Sequence, residues 1–168
     1  MHEPIDEAQL EDAVTVPVEA YISADYVRAE RDKLWRKVWQ QVGRVEELPN
    51  VGDYLTYEIL DDSVIVVRAT ETELRAFHNV CPHRGRRLID TPKGARNATG
   101  RRRQFTCGYH GWGFDLAGQN QRLLHKQDWK SALTPSCTSL SKVNLDTWGG
   151  WIWINLDPDC ASLREFLE

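Results

Sequence analysis

No stretch of this sequence approaches the roughly 20 consecutive apolar residues that a membrane-spanning helix requires. The opening residues, MHEPIDEAQLEDAV, are acidic and hold no apolar core segment, so they do not read as a secretory leader. Basic excess is missing too. The 21 Lys and Arg against 25 Asp and Glu leave a formal charge of −4, which points away from nucleic acid and anionic membrane as partners. Cysteine and histidine are scarce, at four and five residues. In a chain expected in the cytoplasm, where thiols stay reduced, four cysteines suit metal ligation better than a disulfide framework. At 168 residues the length suits one domain with its own core, and seven tryptophans imply bulky packing.

Residues 1–21, acidic and carrying two prolines, read as an extended arm. A helix is expected over 22–43, in SADYVRAERDKLWRKVWQQV. There Val27, Leu34, Val38 and Val42 share one face beside Trp35 and Trp39, with charged residues opposite. Ser23 or Asp25 would cap it and Gly43 would stop it. From Gly52 the period becomes two. YLTYEIL, VIVVR and LRAFHNV read as a β-meander, GFDLAGQ as a turn and GGWIWINL as a last strand. The tryptophans of WGGWIW (Trp148, Trp151 and Trp153) are expected to pack under the neighbouring loops and against the helix. SLREFLE would begin another helix with nothing left to pack against. The expected class is mainly β, an antiparallel sheet preceded by one amphipathic helix.

Two segments stand out, NVCPHRGRRL and FTCGYHGWGF. They supply Cys81 and His83, then Cys107 and His110, as C-x-H, 23 intervening residues and C-x-x-H. Zinc accepts two thiolates and two imidazoles at similar spacings and is the competing reading. Common zinc fingers, however, draw both cysteines from one knuckle and both histidines from a helix, whereas each loop here offers one of each. That layout suits a two-iron cluster with two thiolates on one iron and two imidazoles on the other. Gly85, Gly108 and Gly111 would let backbone N–H groups approach the cluster, and Pro82 would stiffen the first loop.

CPHRG and CGYHGW resemble the two halves of the Rieske 2Fe-2S motif, in the form carried by α subunits of ring-hydroxylating oxygenases. LWRKVWQQVGRVEELPNVGDY, VIVVR, AFHNVCPHRG and WGGWIWINLDP resemble that family's N-terminal domain in order and spacing. The resemblance implies a Rieske-type domain over 44–160 with two cluster-binding loops, and the start of a C-terminal catalytic domain at 161–168. It implies Cys81 and Cys107 on one iron, His83 and His110 on the other, and Tyr109 with the three loop glycines around them. It also implies a ferredoxin or flavin reductase as electron donor, a trimeric homo-oligomer, and mononuclear non-heme Fe(II) in the catalytic domain only. A self-contained Rieske ferredoxin is the alternative. Respiratory Rieske proteins carry a bracing cysteine in each loop, and Arg86 and Tyr109 stand at those positions. They also place a serine where this chain has Trp112, which implies a potential toward the low end of the roughly −150 to +300 mV Rieske span. Trp112, just past His110, is a candidate for the surface where electrons enter, with packing as the alternative.

The gap between the two loops is longer than the family pattern. Between Arg84 and Arg103 lie eight Lys or Arg and one Asp, a local charge of 8 − 1 = +7. Arg101, Arg102 and Arg103 are candidates for docking an acidic electron donor, the other reading being a solvated loop. Once the cluster is filled, only His2, His78 and His125 remain, too few placed together for a mononuclear iron. His78 reads as a strand residue near the cluster and His125 as a loop residue. Cys137 and Cys160 read as packing or surface thiols.

Overall fold

A computed structural model describes residues 15–124 and 133–168, with the side chains of 135 and 136 left aside. His2, His125 and most of the expected N-terminal arm lie outside the described residues. The architecture is mainly antiparallel β. In chain order the strands are β1 (Gln40–Arg44), β2 (Asp53–Ile59), β3 (Asp62–Arg68), β4 (Leu74–His78), β5 (Thr99–Arg101), β6 (Phe105–Thr106), β7 (Gly113–Phe114), β8 (Asn120–Arg122), β9 (Lys142–Trp148) and β10 (Trp151–Asn155). Seven of them form one sheet in the order β1-β10-β9-β4-β3-β2-β5, and β6-β7-β8 form a second.

The β2–β3–β4 meander is the spine. In β3, Val64, Ile65, Val66 and Val67 are all fully buried. Alternation sends Ile65 and Val67 into one core with Phe77, Phe105 and Phe114. Val64 and Val66 enter a second core with Leu55, Ile152 and Ile154. Burial on both faces is why VIVV is a continuous apolar run, and each such side chain contributes roughly 1.5–3 kcal/mol. The first core carries Cys81 and Cys107.

The N-terminal helix is shorter than 22–43 and turned the other way. A short turn, α1 (Glu19–Ile22), precedes α2 (Ala24–Glu30), whose N-cap is Ser23, and Arg31–Trp35 continues as π-helix. Gln40 then enters β1, paired with Ile154 across the sheet. The Gln40 amide donates to the Trp35 carbonyl at 2.5 Å and accepts from the Tyr57 hydroxyl, sealing the helix end. Val38 and Val42 satisfy a helical period, but burial of Val42 in the second core, from β1, decides the outcome. Val27 and Leu34 stay exposed. The charged face makes the contacts instead: Arg36 forks onto Asp62, Arg31 reaches Asp61 and Lys37 reaches Asp157.

Two further expectations change. Lys142–Trp148 is a strand not anticipated above, although Val143 and Leu145 alternate there with Asn144 and Asp146. It joins β10 through Gly149 and Gly150, both at positive φ, as a tight hairpin needs. SLREFLE does form a helix, α3 (Leu163–Leu167), but it is not without packing, because Leu163 is buried.

The basic segment is partly ordered as the edge strand β5, held on β2. Asp53, nearly buried, accepts from Arg101 at 2.6 Å and from the Asn50 backbone and amide nitrogens. The Arg101 guanidinium, aided by Asn50 and opposed by burial, lowers the Asp53 carboxyl from its ordinary 3.8 to about 2. A depressed carboxyl contributes stability that is complete above the unfolded value and disappears as pH falls through the folded one. Thermal midpoints of Asp53→Asn and of the unchanged protein should therefore differ above pH 4 and converge by about pH 2. A pH-independent difference would remove this carboxyl from the acid response.

Candidate metal centre

The two Cys/His loops are built on one backbone pattern. In the first, the Cys81 N–H donates to the Arg86 carbonyl at 2.8 Å and the Gly85 N–H donates to the Cys81 carbonyl at 2.9 Å. In the second, the Cys107 N–H donates to the Trp112 carbonyl at 2.8 Å and the Gly111 N–H to the Cys107 carbonyl at 3.0 Å. Each loop closes through a glycine four residues after its cysteine. Gly85 has φ +71° and Gly111 φ +68°, the left-handed region that side chains avoid. Gly108 is not in the left-handed region, so turn geometry does not demand glycine there. The first loop leaves β4, and the second is the β6–β7 connection, in which Phe105 and Phe114 pair and are fully buried.

Packing of the two sheets brings the loops together. Cys81 and Cys107 are 1% and 2% exposed, and the two sulfurs interact. Burial raises the Cys81 thiol to about 11; the backbone N–H of His83 works against this and Cys107 works with it. Iron would have to displace that proton to bind the thiolate. The His83 and His110 rings lie 4.6 Å apart between centroids. Burial, then His110 and Arg84, lowers the basicity of His83. The Nδ1 of His110 is buried with no hydrogen-bond partner.

A family model described as the Rieske [2Fe-2S] domain matches residues 38–132. The chain belongs to this family. Across 162 residues it is 33% identical to the carnitine monooxygenase oxygenase subunit of Escherichia coli (strain K12), covering 95% of the chain and 41% of that protein. With the large oxygenase component of the naphthalene 1,2-dioxygenase system of Pseudomonas aeruginosa it shares 34% identity over 140 residues, covering 82% and 30%. Among solved structures, the apo form of a quaternary ammonium Rieske monooxygenase superposes with TM-score 0.81 at 28% identity, covering 99% of this chain and 47% of that one. The chain thus spans less than half the length of the relatives it matches.

The residues of this Rieske domain fit a 2Fe-2S group. A buried imidazole nitrogen without a partner is costly unless something binds it, and His110 holds one at the site. Among the described residues no three His, Cys, Asp or Glu side chains form a metal site. The donors come in pairs, sulfur by sulfur and imidazole by imidazole, which matches two irons with two protein ligands each better than one four-ligand zinc.

Several expected site residues are placed differently. Trp112 is 3% exposed and stacks on His83, so its ring offers no entry surface for electrons. Tyr109, 59% exposed, lies against His110 at 3.7 Å. Arg101 is committed to Asp53, and Arg102 lies over the Tyr54 ring. The tryptophans of WGGWIW do not pack under the loops: Trp148, at the end of β9, is 62% exposed, Arg44 covers Trp151, and in β10 it is Ile152 and Ile154 that point into the second core. His78 ends β4 on the face of Ala76, which belongs to that second core, so its side chain points away from the core that holds both cysteines. Cys137 contacts Thr134, and Cys160 contacts Asn144.

Asn79, two residues before Cys81, is the residue that sequence reasoning passed over. It is 2% exposed, donates to the Ser63 hydroxyl and the Ile89 carbonyl, and accepts from the Leu88 and Ile89 N–H groups. All four hydrogen-bonding positions of its amide are used, pinning both ends of the first loop to β3 and to each other. Its place in NVCPH was the available signal, since a buried amide beside a ligand loop needs partners. Asn79→Ala leaves three buried backbone groups unpaired and should cost about 3–5 kcal/mol in urea unfolding, with loss of bound iron. Asn79→Asp keeps the acceptors, so it should cost about half as much. Equal losses for both would contradict this role.

Proposed function

We propose that this chain is the electron-transfer portion of a Rieske oxygenase α subunit, with Cys81 and Cys107 holding one iron through sulfur and His83 and His110 the other through Nδ1. The observation that carries the reading is the adjacent pair of imidazoles, one with an orphaned buried Nδ1, beside two buried, facing cysteines. When bound, a 2Fe-2S group supplies one-electron transfer at a potential raised by two neutral imidazole ligands. The chain's own contribution is placement. Two short hydrogen-bonded loops hold the donors, buried sulfurs exclude water from one side, and the half-buried histidines face outward, where an electron can enter or leave.

A ferredoxin or flavin reductase is the donor this reading calls for. Of the three arginines considered for docking, Arg103 is the one without an ion pair or ring contact among the described residues, so it remains the candidate for meeting an acidic donor. Onward transfer runs through His110 to a mononuclear iron in a catalytic portion such as fills the rest of the relatives' length, in a homo-oligomer. A quaternary ammonium Rieske monooxygenase at 28% identity and TM-score 0.79 is described as revealing inter-subunit electron transfer, which supports that route. Oxygenase relationship is favoured over a free-standing Rieske ferredoxin because the likeness to the carnitine enzyme extends over 95% of the chain, beyond the loop-bearing segment.

Substituting a histidine by cysteine adds negative charge on its iron. His83→Cys and His110→Cys should each lower the reduction potential or abolish the cluster. A redox titration returning an unchanged potential with full iron content would contradict histidine ligation.

A further inference from the structure

The proposal of Cys81, His83, Cys107 and His110 as ligands leaves open what holds the two loops against each other. All four cysteines are free, so no disulfide joins the loops. The Asn79 hub ties the first loop to β3 and to its own far end, not to the second loop. Among the described residues, two ring contacts span the loops: His83 with His110, and His83 with Trp112. The first joins ligand to ligand, while the second reaches a side chain that is no ligand.

Trp112 is fixed at both ends. Its carbonyl accepts the Cys107 N–H and so forms part of the second loop's closure. Its indole is 3% exposed within the core that contains both cysteines. The indole lies flat on His83 of the first loop, with centroids 4.8 Å apart and planes 7° from parallel. A flat wall of this kind restricts χ2 of the imidazole, the torsion that decides where its ring nitrogens point. Meanwhile the His83–His110 contact is edge-on, at 70°, and leaves that rotation less constrained.

We infer that Trp112 is a positioning residue for His83: by stacking across the loops it aims the imidazole at the metal centre and braces the first loop on the second without a covalent link. This rests on the ligand reading above. It gives a buried role to a residue whose sequence position suggested a surface one.

The test uses the iron-loaded chain and three variants, Trp112→Phe, Trp112→Leu and Trp112→Met, the last a flexible ringless side chain that can adapt to the gap should the leucine variant not fold. Two quantities are read: the rate at which a chelator bleaches the visible absorbance, and the two histidine nitrogen couplings in the spectrum of the reduced protein. Loss of a buried ring contact should speed bleaching about three- to tenfold in the Leu or Met variant. One nitrogen coupling should move while the other stays. Phe should return the rate to within about twofold of the unchanged protein, because it restores a ring against His83. Wild-type rate and couplings in the Leu or Met variant would overturn the inference, as would a Phe variant no better than either. Absence of two nitrogen couplings in the unchanged protein would instead overturn the ligand reading itself, so the two failures are distinguishable.

Discussion

Two hydrogen bonds, repeated once, set the geometry on which the site depends. A cysteine N–H reaches a carbonyl five residues ahead, and a left-handed glycine returns its N–H to the cysteine carbonyl. The closure leaves the residues between, where His83 and His110 lie, projecting from a rigid rim. Because Cys81 and Cys107 both root in the first core, burying that core presses the two rims together. Hydrophobic packing thus does the long-range work and local backbone bonding the short-range work.

The sheet serves this arrangement by being buried on both faces. Val64 and Val66 tie the meander to β1, β9 and β10, while Ile65 and Val67 support the layer beneath the loops. Polar groups are admitted where they fasten a segment that packing alone would leave loose. Asn79 clamps the first loop, Thr56 accepts the Ala98 N–H at 2.7 Å, and Asp53 anchors β5. The segment after Ala98 therefore docks as the short edge strand Thr99–Arg101, and the charge of Arg101 is spent on that docking rather than offered outward.

Legibility followed the range of the interactions concerned. The paired loops could be read because ligand types and glycines lie within six residues of one another. The meander could be read because alternation is local, and VIVV was recognisable as a strand although its two faces enter different cores. The end of the helix could not, since Val38 and Val42 fit a helical period and a strand alike. What decides is pairing of Gln40 with Ile154, far along the chain. Asn79 and Trp112 were hidden for the same reason. One depends on Ser63 and Ile89, the other on His83 across the loops, and a place beside a ligand loop signals that partners are needed without showing which they are.

The most direct measurement is the iron and acid-labile sulfide content of the purified protein, taken together with nitrogen hyperfine couplings of its reduced form. The account predicts two irons and two sulfides per chain, matching a [2Fe-2S] group, with couplings from two histidine nitrogens. One tightly held zinc without sulfide, or a cluster with no nitrogen coupling, would contradict it.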